Sequence, residues 1–240
     1  MQKWDLLRIN YLELCLDSTS KYINTDWIDT LYKWADENSI SDLEWIEHDS
    51  YLNAGYFRGL PRDKSKLLEL EELNLLGCQL TQLPKEIGNL KNLKKLYLLG
   101  NQLSFLPDEI GQLDKLEELY VAGNRLQKLP EKITKLSKLK LLLLQENFLI
   151  TLPQEIGALK SLTTLELGKN KLKSLPCSIG ELKNLKKLTL WKNSLTTLPK
   201  EILSLTSLNE LDLLYNRLAL MQEHIVWLDT LIENDCALNI

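Results

Sequence analysis

The chain has 240 residues, 44% of them apolar and 26% charged, a length that permits one or two domains. No run of about 18 apolar residues is present to cross a bilayer. The net charge of −4 is uneven: residues 1–66 carry 8 basic and 12 acidic groups and residues 67–240 carry 21 of each, a neutral balance that argues against a general nucleic-acid binder.

The first segment is charged from its start (Lys3, Asp5, Arg8) and has no long apolar core of the secretory kind. A cytoplasmic protein is expected, with signal-independent export, for example into a host, as the alternative. Cysteines at 15, 78, 177 and 236 lie far apart without CxxC spacing, so neither a disulfide framework nor a metal site is expected.

Ten of the 17 aromatic residues precede residue 67. Trp4, Leu7, Tyr11 and Leu14 have helical spacing, as do Trp27, Leu31 and Trp34, with Asn24 or Thr25 as N-cap. Ser41-x-x-Glu44 fits a capping box leading into Leu43, Trp45 and Ile46. Residues 1–46 thus read as a cap of two or three helices.

Beyond residue 70 one period dominates. Leucine recurs at a constant interval, at Leu70, Leu93, Leu116, Leu139, Leu162, Leu185 and Leu208. A polar marker keeps step: Cys78, then Asn101, Asn124, Asn147, Asn170, Asn193 and Asn216. Such a period means stacked units, none able to bury its apolar face alone. In the unit from 93 to 115, Leu96 and Leu98 alternate with polar residues as in a half-buried strand. Asn101 follows at a turn, where both amide ends can bond backbone groups, so the stacked asparagines should form a structural ladder. Pro107 ends the strand, and Ile110 and Leu113 suit one helical or 3₁₀ turn. Parallel strands on one side and bulkier turns on the other bend the stack, strands inward.

The pattern LxxLxLxxNxL followed by LPxxIGxL stands at 93–113 and recurs at 116–136, 139–159, 162–182 and 185–205. Val121, Thr134 and Leu203 are the departures. This closely resembles the leucine-rich repeat family, in the 23-residue class common in Ras-group and bacterial intracellular proteins. The resemblance implies an α/β solenoid: a curved right-handed horseshoe of strands and helical or 3₁₀ turns, with a parallel sheet on the concave face. Residues 70–220 would hold seven repeats. Residues 47–69 read as a degenerate first repeat, because Leu60-Pro61 stands one period before Leu83-Pro84 and Leu52, Phe57 and Leu67 fall on apolar positions. A chance turn there is the other reading. At the far end Gln222 replaces the expected proline, and Met221, Ile225, Leu228 and Ile232 form a helical stripe. Residues 221–240 are therefore expected to be a cap helix, with a partner-binding helix as the alternative.

Residues flanking the strand leucines point outward. Leu76, Tyr97, Leu99, Tyr120, Leu141 and Leu143 should form an exposed apolar patch, the kind of surface that marks interaction sites. They could instead cover one another or meet the N-terminal cap. Trp191 and Tyr215 lie among Lys169, Lys171, Lys187, Lys192 and Arg217, a corner suited to an acidic segment or simply solvated. Glu72, Lys95 and Glu118 alternate in sign down one column, as do Glu71, Lys94, Glu117 and Lys140. Only His48 and His224 are present, and HExxH, GxxxxGK[ST] and GxSxG are not. No catalytic, cofactor-binding or metal residue is expected. The expectation is a monomeric, non-enzymatic scaffold that binds another protein on its concave face. The alternatives are a bacterial effector acting on a host protein, or a binder of an acidic ligand or nucleic acid through the lysine-rich fifth and sixth repeats.

Overall fold

The computed structural model describes residues 25–46 and 56–240. The helix expected over Trp4–Leu14, His48, and positions 47–55 of the degenerate repeat lie outside the described residues. Helix α1 (Asp26–Glu37) buries Ile28, Leu31, Trp34 and Ala35, with Thr25 at the N-cap position. The third cap helix is not formed: Glu44–Ile46 is a strand, β1, paired antiparallel with β2 (Tyr56–Arg58). The capping-box reading fails because Asp42 takes over the local donors. Its carboxylate accepts from the Leu43 and Arg62 N–H groups at 2.7 and 3.2 Å, and Arg58 pairs Glu44 across the strands at 3.0 Å.

After β2, Leu60 is buried under Pro61, and the short helix α2 (Lys64–Leu68) buries Leu67. Both leucines keep the array's register, whereas Phe57 is exposed. Arg62 fastens this junction. Its guanidinium donates to the Ile40 carbonyl and pairs Asp36, each at 2.8 Å, and lies 5.4 Å from the centre of the Tyr32 ring.

Seven three-residue strands follow at 23-residue intervals: β3 (Glu72–Asn74), β4 (Lys95–Tyr97), β5 (Glu118–Tyr120), β6 (Leu141–Leu143), β7 (Thr164–Glu166), β8 (Lys187–Thr189) and β9 (Glu210–Asp212). They form one parallel open sheet in chain order, each leucine beside the leucine of the next unit. Proline precedes most of the 3₁₀ turns on the other side, such as Asp108–Gln112, because its fixed φ and missing N–H suit a turn start. Leu73, Leu96, Leu119, Leu142, Leu165, Leu188 and Leu211 are fully buried between the sheet and these turns, as are the turn isoleucines. Each fully buried leucine contributes about 1.5–3 kcal/mol, and stacking supplies that burial.

The asparagines lock one coil to the next. Asn147 Nδ2 donates to the carbonyls of Val121 and Leu144 at 3.0 and 3.1 Å, and its Oδ1 accepts from the Leu126 N–H at 2.9 Å. The same three bonds recur at Asn101, Asn124, Asn170, Asn193 and Asn216. Cys78 in the first coil has only a weak thiol contact to the Leu76 carbonyl at 3.7 Å. Burial raises its pKa and keeps it a thiol.

The C-terminal end departs from expectation in two ways. Helix α3 (Gln222–Glu233) buries His224, Trp227, Leu228 and Leu231, while Met221, Ile225 and Ile232 of the anticipated stripe are exposed. Two overlapping stripes share Leu228, and the one holding Trp227 wins because the indole buries far more area. Then Asp235, with φ +60°, reverses the chain. Residues Ala237–Asn239 form an eighth parallel strand, β10, against β9. The terminal segment is thus a helix plus a strand that extends the sheet.

Candidate interaction surface on the concave sheet

The outward side chains of β4–β6 build the most apolar part of the inner face. Tyr97 and Tyr120 stack with centroids 4.4 Å apart and planes 16° from parallel, both half-buried. The Tyr120 hydroxyl donates to Glu118 Oε2 at 2.6 Å. Burial first, and then this bond to a carboxylate, drive the Tyr120 pKa strongly upward; burial raises that of Tyr97. Both phenols stay protonated. Leu99, Leu141 and Leu143 lie beside them, half-buried, so this patch presents ring faces and leucine methyls together.

Leu76 does not join the exposed patch. It is only 6% accessible, closed in at the cap end where the Gly59 N–H, just after β2, donates to the Asn74 carbonyl at 3.1 Å. Leu76 therefore meets the inner face only as part of the groove wall beside the tyrosines.

A groove of about 550 Å³ runs beside the tyrosines, lined by Leu76, Gly77, Leu99, Gly100, Ala122, Gly123 and Gln145 and ending at Arg58 and Glu146. Gln145 Oε1 is buried there without a hydrogen-bond partner. The groove exists because of one backbone position. Residues 77, 100, 123, 146, 169, 192 and 215 all adopt φ between +54° and +64°. The first three are glycine, which takes this conformation freely, and they leave the face hollow. The last four are Glu146, Lys169, Lys192 and Tyr215, which stand as a raised rim in a conformation that costs L-residues about 1–2 kcal/mol each. The 23-residue column was legible, but its conformation was hidden by the bulky residues of the second half.

Trp191 and Tyr215 occupy different settings. The Trp191 indole lies directly on Gly168, where any Cβ would overlap it, and remains half-buried. Tyr215 is 76% accessible. Around them the cations are not equally free. Lys169 pairs Glu146 at 2.8 Å, and Lys187 pairs Glu166 and Glu210 at 3.0 and 3.1 Å. The Lys171 ammonium lies 4.7 Å from the Phe148 ring centre. Lys192 and Arg217 make no ion pair among the described residues. Lys169 is thus already paired with a carboxylate one coil earlier in its own column, and an acidic partner would have to compete with Glu146 for it.

The rest of the inner face neutralises itself. Lys95 contacts Glu72 and Glu118 at 3.2 and 3.9 Å, and the hydrogen bond that its ammonium donates to Glu72 raises its pKa. Lys94 pairs Glu71, and Lys140 pairs Glu117, each at 2.7 Å. His224 is fully buried and accepts the Met221 N–H on Nδ1 at 3.2 Å. Among the described residues no group of three or more His, Cys, Asp and Glu side chains could hold a metal ion, Cys78, Cys177 and Cys236 are free thiols, and no helix is long and apolar enough to cross a membrane.

Two family models match the chain, a "Leucine rich repeat" over residues 69–126 and a "Leucine-rich repeat region" over residues 128–231. No curated protein matches it. Among solved structures it is similar to a Leptospira interrogans leucine-rich repeat protein, with 36% identity over 70% of this chain and 55% of that one, TM-score 0.52. It is also similar to the plant peptide hormone receptor RGFR1 in complex with RGF2 (34% identity, 65% and 26% of the two chains, TM-score 0.56) and to a TDR receptor (35%, 66% and 29%, TM-score 0.59). The matched part spans little more than half of the bacterial protein and less than a third of either receptor chain.

Proposed function

The chain belongs to the leucine-rich repeat family, and from that premise we propose that its concave sheet is a non-enzymatic docking face for another protein. The observation that carries this reading is the stacked Tyr97–Tyr120 pair flanked by Leu99, Leu141 and Leu143. The core does not require these outward positions to be apolar, and an aromatic pair that keeps its hydroxyls protonated offers both contact area and hydrogen bonds. The hollow beside it, with the unpartnered Gln145 oxygen, would receive one inserted side chain able to donate a hydrogen bond. Charge plays a minor part there, because the neighbouring lysines and glutamates already pair with one another. The similar array of a plant peptide hormone receptor, RGFR1, solved in complex with RGF2, is consistent with recognition of a polypeptide.

The test is affinity capture with the wild-type chain and with the Tyr97→Ala/Tyr120→Ala variant at matched thermal stability. A partner retained by the wild type and lost by the variant supports the reading. Identical partner sets contradict it.

A further inference from the structure

The segment between each ladder position and the next turn forms a lateral flank of the stack, distinct from the concave face. It comprises residues 79–83, 102–106, 125–129, 148–152, 171–175, 194–198 and 217–221. These segments hold Arg125, Lys128, Lys171, Lys173 and Arg217 and not one Asp or Glu, in a chain with 33 acidic residues. All five cations are exposed, and none makes an ion pair among the described residues. On the concave face, by contrast, Lys94, Lys95, Lys140 and Lys187 are all paired. Carboxylates crowd the 3₁₀ turns instead, at Glu86, Asp108, Glu109, Glu131, Glu155, Glu181 and Glu201. The flank is also where Phe105, Phe148 and Ile150 are exposed.

The order of these groups is regular. Down the column just after the ladder, Arg125, Phe148, Lys171, Ser194 and Arg217 follow one another, a cation at every second coil. Strands about 4.8 Å apart place alternate coils about 10 Å apart. A polyproline-II segment repeats every three residues over about 9.3 Å. Acidic side chains at every third position of such a segment would therefore meet Arg125, Lys171 and Arg217 in turn. An apolar residue between the first two would rest on Phe148 and Ile150, where the Lys171 ammonium already covers part of the Phe148 ring.

We infer that this flank is a second docking surface, independent of the concave one, for an extended acidic protein segment with carboxylates at every third residue. A nucleic acid fits less well. Five cations are few for a phosphate backbone, and Phe148 and Ile150 interrupt them with apolar bulk. The net charge of −4 also repels a long polyanion, whereas a short segment lies within a Debye length of the flank alone.

Fluorescence anisotropy tests this with the full chain and a dye-labelled peptide carrying glutamate at every third position, leucine between the first two glutamates, and proline and alanine elsewhere. The wild type and the Tyr97→Ala/Tyr120→Ala variant are expected to bind it equally. Lys171→Glu/Arg217→Glu should weaken it roughly tenfold or more, with an unchanged melting curve. A peptide of the same composition with clustered glutamates should bind more weakly. Equal binding of the two peptides, insensitivity to the charge reversal, or tighter binding to oligouridine or phosphatidylserine vesicles would each overturn the inference. Loss of binding in the tyrosine variant alone would return the site to the concave face.

Discussion

Replacing Asn147 by alanine probes how the coils are held together. The side chain is buried and makes three hydrogen bonds of 3.1 Å or less, besides a longer one to the Gln145 carbonyl at 3.4 Å, and counting the three short ones at about 1 kcal/mol each gives about 3 kcal/mol. The ladder changes that count. The Val121 carbonyl also accepts from Asn124 Nδ2 at 3.0 Å, and the Leu144 carbonyl from Asn170 Nδ2 at 2.9 Å. Both acceptors keep a partner in the variant, and only the Leu126 N–H is orphaned. An orphaned buried donor costs about 1–3 kcal/mol, and the two surplus bonds together contribute about 1 kcal/mol more. The expected loss is about 2–4 kcal/mol. Asn216 makes the equivalent bonds at the end of the ladder, where the side chain is only half-buried and water can replace its amide once it is cut back, so Asn216→Ala should lose less, about 1 kcal/mol. Urea titration followed by circular dichroism, with the slope checked for constancy, measures both. Equal losses at the two positions, or a loss at Asn147 of less than about 1 kcal/mol, would refute the reasoning.

Other expectations follow from the same geometry. Leu119→Ala should lose about 2–5 kcal/mol by opening a core cavity, whereas Tyr97→Ala/Tyr120→Ala should lose far less in the same melt. Lys192→Gly should gain about 0.5–1 kcal/mol, because glycine relieves the left-handed backbone of a side chain without an ion pair among the described residues. Arg62→Ala should raise amide exchange in α1 before the repeats, since it removes the bonds to Ile40 and Asp36. At alkaline pH the native state holds the Tyr120 proton after the unfolded chain has released it. The unfolded state then binds fewer protons, and stability should fall as pH rises above the ordinary tyrosine value of about 10. Tyr120→Phe should flatten that fall in a pH series of urea melts.

The parts that the period governs were legible from the residues. Leu96, Leu119 and Leu142 occupy one interior because positions one period apart are forced side by side, and the Glu72–Lys95–Glu118 ladder follows from the same adjacency. That logic also pairs Lys169 with Glu146, one period apart, which composition alone does not show. Legibility ended where the period did. Trp45 and Ile46 suit a strand as readily as a helix, and only Asp42 and the partner strand decide between them. In α3 the choice between two stripes rested on what the last coil could bury. Strand β10 does not keep the period: Leu238, rather than position 234, lies beside Leu211, so no periodic search could find it. Leu76 has the residue type of an exposed patch, yet it is buried at the end of the sheet next to β2, where the repeat pattern no longer applies.

The most direct test of the concave docking claim is site-specific photo-crosslinking in a lysate, with a benzophenone side chain placed at Tyr97 in one preparation and at Glu86, on the opposite turns, in another. The account predicts a discrete protein adduct from position 97 and none from position 86. Adducts of equal yield from both positions, or an adduct from the turn side alone, would contradict it.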